Sequence, residues 1–264
     1  MRHYCTYFDF NYIKQGLALH ASMEKHCQPY HLWILALCEE TWGYLTRRLL
    51  PNVTVVNMRG FETPALQSVR DGRTWQEYMW TLTPSWMLYV LQRRGPVSYI
   101  DADCFFFSSP EPIYEEIGGA PLGITPHRFW GRHTHFKVNG LYNVGLVYAS
   151  HEGIPCIKEW ASQCIEWCHR RNEDGKFADQ KYLDEWPEKR QAHPIEHLGA
   201  NLAPWNQEQY AYELDNGNVI VDDYPLLWYH FHQGLEPKWQ IHELVNRHVY
   251  PPYEVALKAA EKKL

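Results

Sequence analysis

Short apolar runs that alternate with stretches of helical period restrict this chain to a layered α/β architecture. Residues 4–8, 31–37, 53–56 and 97–100 read as strands, with further strands at residues 122–125 and 143–148. Ile13, Leu17, Ala21 and Met23 recur at helical spacing, which predicts a helix over residues 13–25. A second helix is predicted over residues 154–169, and Pro84 fits the first turn of a helix carrying Met87, Leu88 and Leu91. Strands alternating with helices imply a mostly parallel central sheet flanked by helices. Ligands of such sheets bind beyond the carboxyl ends of the strands. Two of the expected strands end there in an acid: Asp9 follows residues 4–8, and Asp101 follows residues 97–100. The second half is less regular. Residues 199–206 (GANLAPWN) read as a loop, 219–221 and 226–229 as short strands, and 253–263 as a charged helix.

The 264 residues suffice for one large α/β domain or two small ones, and no linker, repeat or low-complexity tract divides them. A net charge of −6 with scattered Lys and Arg excludes a strong nucleic-acid footprint. Seven cysteines without a CxxC pair, the nearest being Cys164 and Cys168, suggest buried reduced thiols in a cytoplasmic protein. Met1-Arg2-His3-Tyr4 is not an apolar leader, and no apolar run reaches the ~18 residues a membrane span needs. Any membrane contact is therefore expected to be peripheral, at the inner face. The 12 Trp serve a core and can also form the flat platforms that sugars stack on.

Asp101-Ala102-Asp103 carries the sharpest chemistry. On an extended segment alternate side chains diverge, but at a strand end, where the chain turns, two carboxylates can converge. Hard divalent cations such as Mg²⁺ or Mn²⁺ take oxygen ligands and commonly bridge one or two carboxylates to substrate phosphates. A lone DxD is equally two solvated acids in a loop. Here Val97-Ser98-Tyr99-Ile100 before it and Cys104-Phe105-Phe106-Phe107 after it bury the flanks and fix the acids at a sheet edge. Among 15 His, His230 and His232 stand out after a strand-like run, as further metal ligands or as a structural pair.

In order, the chain carries Asp9 and Asn11-Tyr12, YIDADCFFF, ITPHRF, GLYNVGLV, GKFADQKYLDEWP, GANLAPWN and a late His-Phe segment. This set resembles the GT-A nucleotide-diphospho-sugar transferases, in particular the family 8-like retaining glycosyltransferases and bacterial relatives found with surface-polysaccharide genes. The resemblance spans about residues 4–239. It implies a single GT-A (Rossmann-like) domain, with a nucleotide-binding half over about residues 1–125 and a sugar and acceptor half over about 126–250. It implies a cradle for the nucleoside from Thr6, Asp9, Asn11 and Tyr12, with Ala102 and Lys238 also on the donor. Asp9 alternatively caps the helical turn that follows it. Asp101 and Asp103 match the metal-binding pair, and His230 matches the late metal ligand. One inserted residue in the late segment, and a reversed Pro-Lys, leave His232 as the alternative. Asn143, Asp179 and Gln180 match the segments beside the donor sugar; Asp179 alternatively caps a helix. Trp205 and Asn201 are expected on the acceptor side. The family's basic residue in the helix before DxD is replaced by Thr81-Leu82-Thr83-Pro84, so Arg128, Lys238 and the metal are expected to neutralise the diphosphate.

The implied activity is transfer of a sugar, with retention, from a nucleotide diphosphate donor (a UDP-sugar by resemblance) to a glycan or glycolipid, assisted by Mn²⁺ or Mg²⁺. Two other classes stay open: a non-catalytic nucleotide-sugar or glycan-binding domain, and a sugar nucleotidyltransferase. The latter usually has a Gly-rich loop after its first strand, where this chain has Tyr7-Phe8-Asp9-Phe10-Asn11.

Overall fold

The computed structural model describes residues 1–232, 234–235 and 240–264. Lys238 lies outside the described residues. In chain order the strands are β1 (Arg2–Phe8), β2 (Tyr30–Ala36), β3 (Val53–Asn57), β4 (Val97–Ile100), β5 (Cys104–Phe106), β6 (Leu122–Pro126), β7 (Tyr142–Ala149) and β8 (Ala192–Pro194). They are followed by β9 (Tyr212–Asp215), β10 (Asn218–Val221), β11 (Tyr224–Pro225) and β12 (Trp228–His230). The central sheet has the order β3-β2-β1-β4-β7-β6-β8. β3, β2, β1 and β4 run parallel, as do β6 and β8, and β7 is antiparallel to both its neighbours. Between β6 and β7 the chain runs through the 3-10 segment Gly131–Asn139.

Alternation along the strands divides the core into two faces. Tyr4, Leu32, Ile34, Ile100 and Leu146 pack on one side with the helix Ile13–His26. Cys5, Trp33, Leu35, Val97, Tyr99 and Val147 face the other side, against the helices Trp75–Arg94 and Ile154–Glu166. A third cluster joins Phe105, Tyr229 and Phe231 to Tyr253 of the helix Tyr250–Glu261.

Several expectations on helices and short strands need correction. Pro84 does not open a helix; it lies inside Trp75–Arg94, whose start is set by a capping box between Thr74 and Glu77. Interior Pro costs the helix one hydrogen bond, offset here by burial of Leu82, Trp86, Met87, Val90 and Leu91. The helix expected over residues 154–169 stops at Glu166: Trp167 is extended, and the Arg170 backbone N–H donates to Glu77 Oε1 at 2.7 Å. The strand expected over residues 226–229 is displaced, because β12 begins at Trp228 and pairs antiparallel with β5 outside the main sheet. Among the described residues no helix is long and apolar enough to cross a membrane. The seven cysteines are free.

Candidate functional site

β1 and β4 are parallel neighbours, so Asp9 and Asp101 leave the sheet at the same edge. There a cavity of about 930 Å³ opens, lined by Asp9, Asn11, Tyr12, Asp101, Ala102, Asp103, Asn143, Asp179, Gln180, Trp205, His230 and His232 among others.

The tight turn after β4 brings the two acids of DxD together: the Cys104 N–H donates to Asp101 O at 3.1 Å, and β5 follows at once. β12 pairs with β5 so that His230 stands opposite Cys104, and the Phe231 N–H donates to Asp103 O at 2.9 Å. His230 Nε2 thereby lies 3.2 Å from Asp103 Oδ1 and 3.7 Å from Asp101 Oδ2. Asp103, His230 and His232 each offer a ligand atom within 4.8 Å of the others. Both histidines therefore reach Asp103, while Asp101 is not one of the three and meets the group through His230; His230 is buried, and His232 is exposed at the rim. Carboxylate and imidazole side chains in this arrangement could hold a divalent cation.

The electrostatics are those of crowded, desolvated charges. Desolvation pushes the Asp101 carboxyl up to about 6, opposed by His230 and assisted by Asp103. For Asp103, burial also disfavours the charge, but His230 beside it wins and holds the carboxyl below its usual range. His230 is raised: burial opposes its charge, and Asp103 and Asp101 outweigh that. Asp179, 4% exposed, is pushed up to about 7 by burial and then by the charge of Asp101.

The remaining expected residues divide by position. Asp9 lines the cavity and also caps the turn Phe10–Tyr12, accepting from the Asn11 N–H at 3.0 Å and from Trp75 Nε1 at 3.3 Å. Gln180 lines the cavity with its amide on Asn139 O at 2.9 Å. Trp205 forms part of the wall but is 4% exposed, with Nε1 donating to His127 O at 2.8 Å, so only part of its ring reaches the cavity. Three residues do not line the cavity. Thr6 is wholly buried in β1, where its carbonyl accepts from Trp86 Nε1. Asn201 is wholly buried, its left-handed backbone shaping the 199–206 loop. The Arg128 guanidinium donates to the carbonyls of Ala200, Ile195 and His197, so it fastens that loop and is not free for a diphosphate.

Other residues emerge only in three dimensions. Tyr99 Oη donates to Asp101 Oδ1 at 2.8 Å, and Tyr7 Oη lies 2.9 Å from Thr83 Oγ1. Trp75 and Arg170 line the cavity, and Arg170 is the one Lys or Arg among its described lining residues. His127, from ITPHRF, is buried with Nε2 3.2 Å from Asn143 Nδ2, and burial pushes it down to about 3. The Thr74-x-x-Glu77 spacing was a readable signal for where Trp75 sits, since it marks a helix start. Nothing local marks Arg170, which is brought in by a fold of the chain after Glu166.

No family model matches the chain. Over 238 residues it is 32% identical to the uncharacterized protein YfnD of Bacillus subtilis, covering 87% of this chain and 76% of that protein. The chain belongs to the YfnD family. A second Bacillus subtilis protein, the uncharacterized YfnF, is 29% identical over 242 residues, covering 86% of this chain and 80% of YfnF. Among solved structures, the galactosyltransferase LgtC in complex with donor and acceptor sugar analogs superposes with a TM-score of 0.61 at 15% identity, covering 98% of this chain and 95% of that one. The glycosyltransferase GlyE of Streptococcus pneumoniae gives 0.58 at 16% identity, covering 99% of this chain and 63% of GlyE. The fold of this YfnD relative is thus the GT-A fold of those glycosyltransferases.

Proposed function

We propose that this chain is a glycosyltransferase that moves a sugar from a nucleotide diphosphate donor, expected to be a UDP-sugar, to a glycan or glycolipid acceptor with the help of a divalent cation. The observation that carries the reading is the convergence of Asp101, Asp103 and His230 in a cavity of about 930 Å³ at the carboxyl edge of a GT-A sheet. That volume accommodates a nucleotide sugar with part of an acceptor. A bound Mn²⁺ or Mg²⁺ supplies Lewis-acid neutralisation of the diphosphate leaving group.

The chain's own residues do the rest. Asp9, tied to Asn11 and Trp75, offers an acceptor for the nucleobase, and Tyr12, 45% exposed, offers a ring face. Arg170 brings positive charge to a cavity with four Asp in its lining. Asp179 and Gln180 flank the sugar, where an ionised Asp179 stabilises the oxocarbenium-like transition state. Retention follows from the resemblance to family 8-like enzymes, as does an acceptor that is a growing surface glycan. A cytoplasmic enzyme working peripherally at the inner face of the membrane fits that acceptor, as does one GT-A domain divided into a nucleotide half and a sugar half.

The test is release of nucleoside diphosphate from a panel of UDP- and other nucleotide sugars, with Mn²⁺ or with EDTA. Activity present with Mn²⁺, absent in EDTA and absent in Asp103→Ala supports the reading. Pyrophosphate release would make the chain a nucleotidyltransferase. Tight donor binding with no turnover on any acceptor would leave a binding domain.

A further inference from the structure

We propose that Asn143 is a positioning residue that sets the tautomer and ring orientation of His230, and that His127 in turn holds Asn143. This rests on the reading that Asp101, Asp103 and His230 hold a divalent cation. Gly145 N donates to the side-chain oxygen of Asn143 at 2.8 Å. A backbone N–H can only donate, so the Asn143 atom facing it is the oxygen, and the amide cannot be flipped. That same oxygen lies 3.2 Å from His230 Nδ1. An amide oxygen can only accept, so Nδ1 of His230 carries a hydrogen. The lone pair of a neutral His230 is then on Nε2, the nitrogen that faces Asp103 and Asp101. The other end of the amide, Nδ2, lies 3.2 Å from Nε2 of His127. Nδ2 can only donate, so His127 accepts there and carries its own hydrogen on Nδ1.

One N–H therefore fixes the hydrogen positions of two buried histidines. Asn143 and His127 line the cavity but are only 8% and 4% exposed. Gly145 makes the junction possible: a Cβ there would lie 2.2 Å from Asn143 Oδ1 and 2.7 Å from His230 Nδ1. The carbonyl of Gly145 accepts from the Asp101 N–H at 3.0 Å, so the same residue also registers the DxD turn. Partners that orient a metal-bound imidazole are typically worth ~10–100-fold in metal affinity.

The test measures Mn²⁺ binding to the full chain without donor, by titration and by the ¹⁴N couplings of the bound ion in pulsed electron paramagnetic resonance. Asn143→Leu is expected to weaken Mn²⁺ by about 10–100-fold and to alter the histidine coupling. Asn143→Asp keeps an acceptor toward His230 and Gly145, and with His127 moving its hydrogen to Nε2 to donate to the second carboxylate oxygen it is expected to keep the coupling. His127→Leu strips the amide of its acceptor and is expected to weaken Mn²⁺, with His127→Gln restoring part of it. The His127 pair serves if Asn143→Leu does not fold. Wild-type affinity and coupling in Asn143→Leu, or in His127→Leu should the former not fold, overturn the inference alone, provided His230→Ala loses the ion. Unchanged binding in His230→Ala overturns the cation-site reading itself.

Discussion

Burial and the charge of Asp101 raise the Asp179 carboxyl to about 7, well above the ordinary carboxylate range. A carboxyl raised in the folded state binds its proton more tightly there than when unfolded. Stability is then complete below the unfolded value near 3.8 and is lost as pH rises toward 7. The penalty above pH 7 is at most on the order of 4 kcal/mol. Asp179→Asn removes it, so in EDTA the variant should gain stability over the wild type as pH goes from 5 to 8, read by thermal unfolding. In the same variant kcat should fall far more than donor affinity, because a charge beside the sugar is lost with little change of shape; near-normal kcat would take Asp179 out of the chemistry. Arg170 invites the opposite experiment. It lines the cavity with its Nη1 on Gln76 Oε1 at 3.2 Å. Arg170→Ala should weaken donor binding by roughly tenfold or more, the worth of a hydrogen bond to a charged group, with part recovered in Arg170→Lys. Equal affinity for nucleotide diphosphate in wild type and Arg170→Ala would exclude the contact.

At the scale of elements, Glu77 joins two segments that sequence keeps 93 residues apart. Its carboxylate takes the Thr74 N–H at 2.8 Å, closing the capping box of Trp75–Arg94, and the Arg170 N–H at 2.7 Å. Burial opposes its charge, but the hydrogen bonds from Arg170 and Thr74 prevail and hold it at about 2. A carboxyl lowered in the folded state stabilises above its unfolded value near 4.5, and that stability is lost as pH falls toward 2. Glu77→Gln should therefore cost about 1–3 kcal/mol at pH 7 and less at pH 3, measured by denaturant unfolding. This helix also shows what was legible. Its apolar positions after Pro84 were plain, whereas its true start needed Thr74 and Glu77 to be read as a cap instead of Pro84 as a first turn. β1 and β4 were legible because each is a short apolar run ending in Asp, and parallel pairing then puts both acids at one edge. The reversal of β7 and the departure of β12 to β5 were not, because each depends on pairing between segments far apart in the chain. For the same reason the sequence could nominate Arg128 and Asn201 by type but could not tell that loop carbonyls and burial claim them.

Across the whole molecule, the site exists only when distant parts of the chain meet. Asp101 and Asp103 follow β4, and His230 ends β12, 127 residues beyond Asp103. β12 is held by its pairing with β5 and by the third core cluster, in which the Phe231 ring stacks on Tyr253 at 3.8 Å between centroids and 14° between planes. Phe231 is 0% exposed, so Phe231→Ala should cost about 3–5 kcal/mol, the range for truncating a buried aromatic. A cation that binds Asp101, Asp103 and His230 together binds the folded state and not the unfolded one. At 100-fold its Kd it should add about 2.7 kcal/mol to the stability of the whole chain. For a chain of this length that is a rise in Tm of several degrees. The increment should vanish in His230→Ala, whose unfolding should be indifferent to Mn²⁺. Phe231→Ala, if it folds, should keep part of the increment at a higher Mn²⁺ concentration, because its ligands are intact and only their registration has loosened. A Mn²⁺ response that is the same in wild type and His230→Ala would mean that the ion binds elsewhere, and that β12 serves the fold without serving the metal.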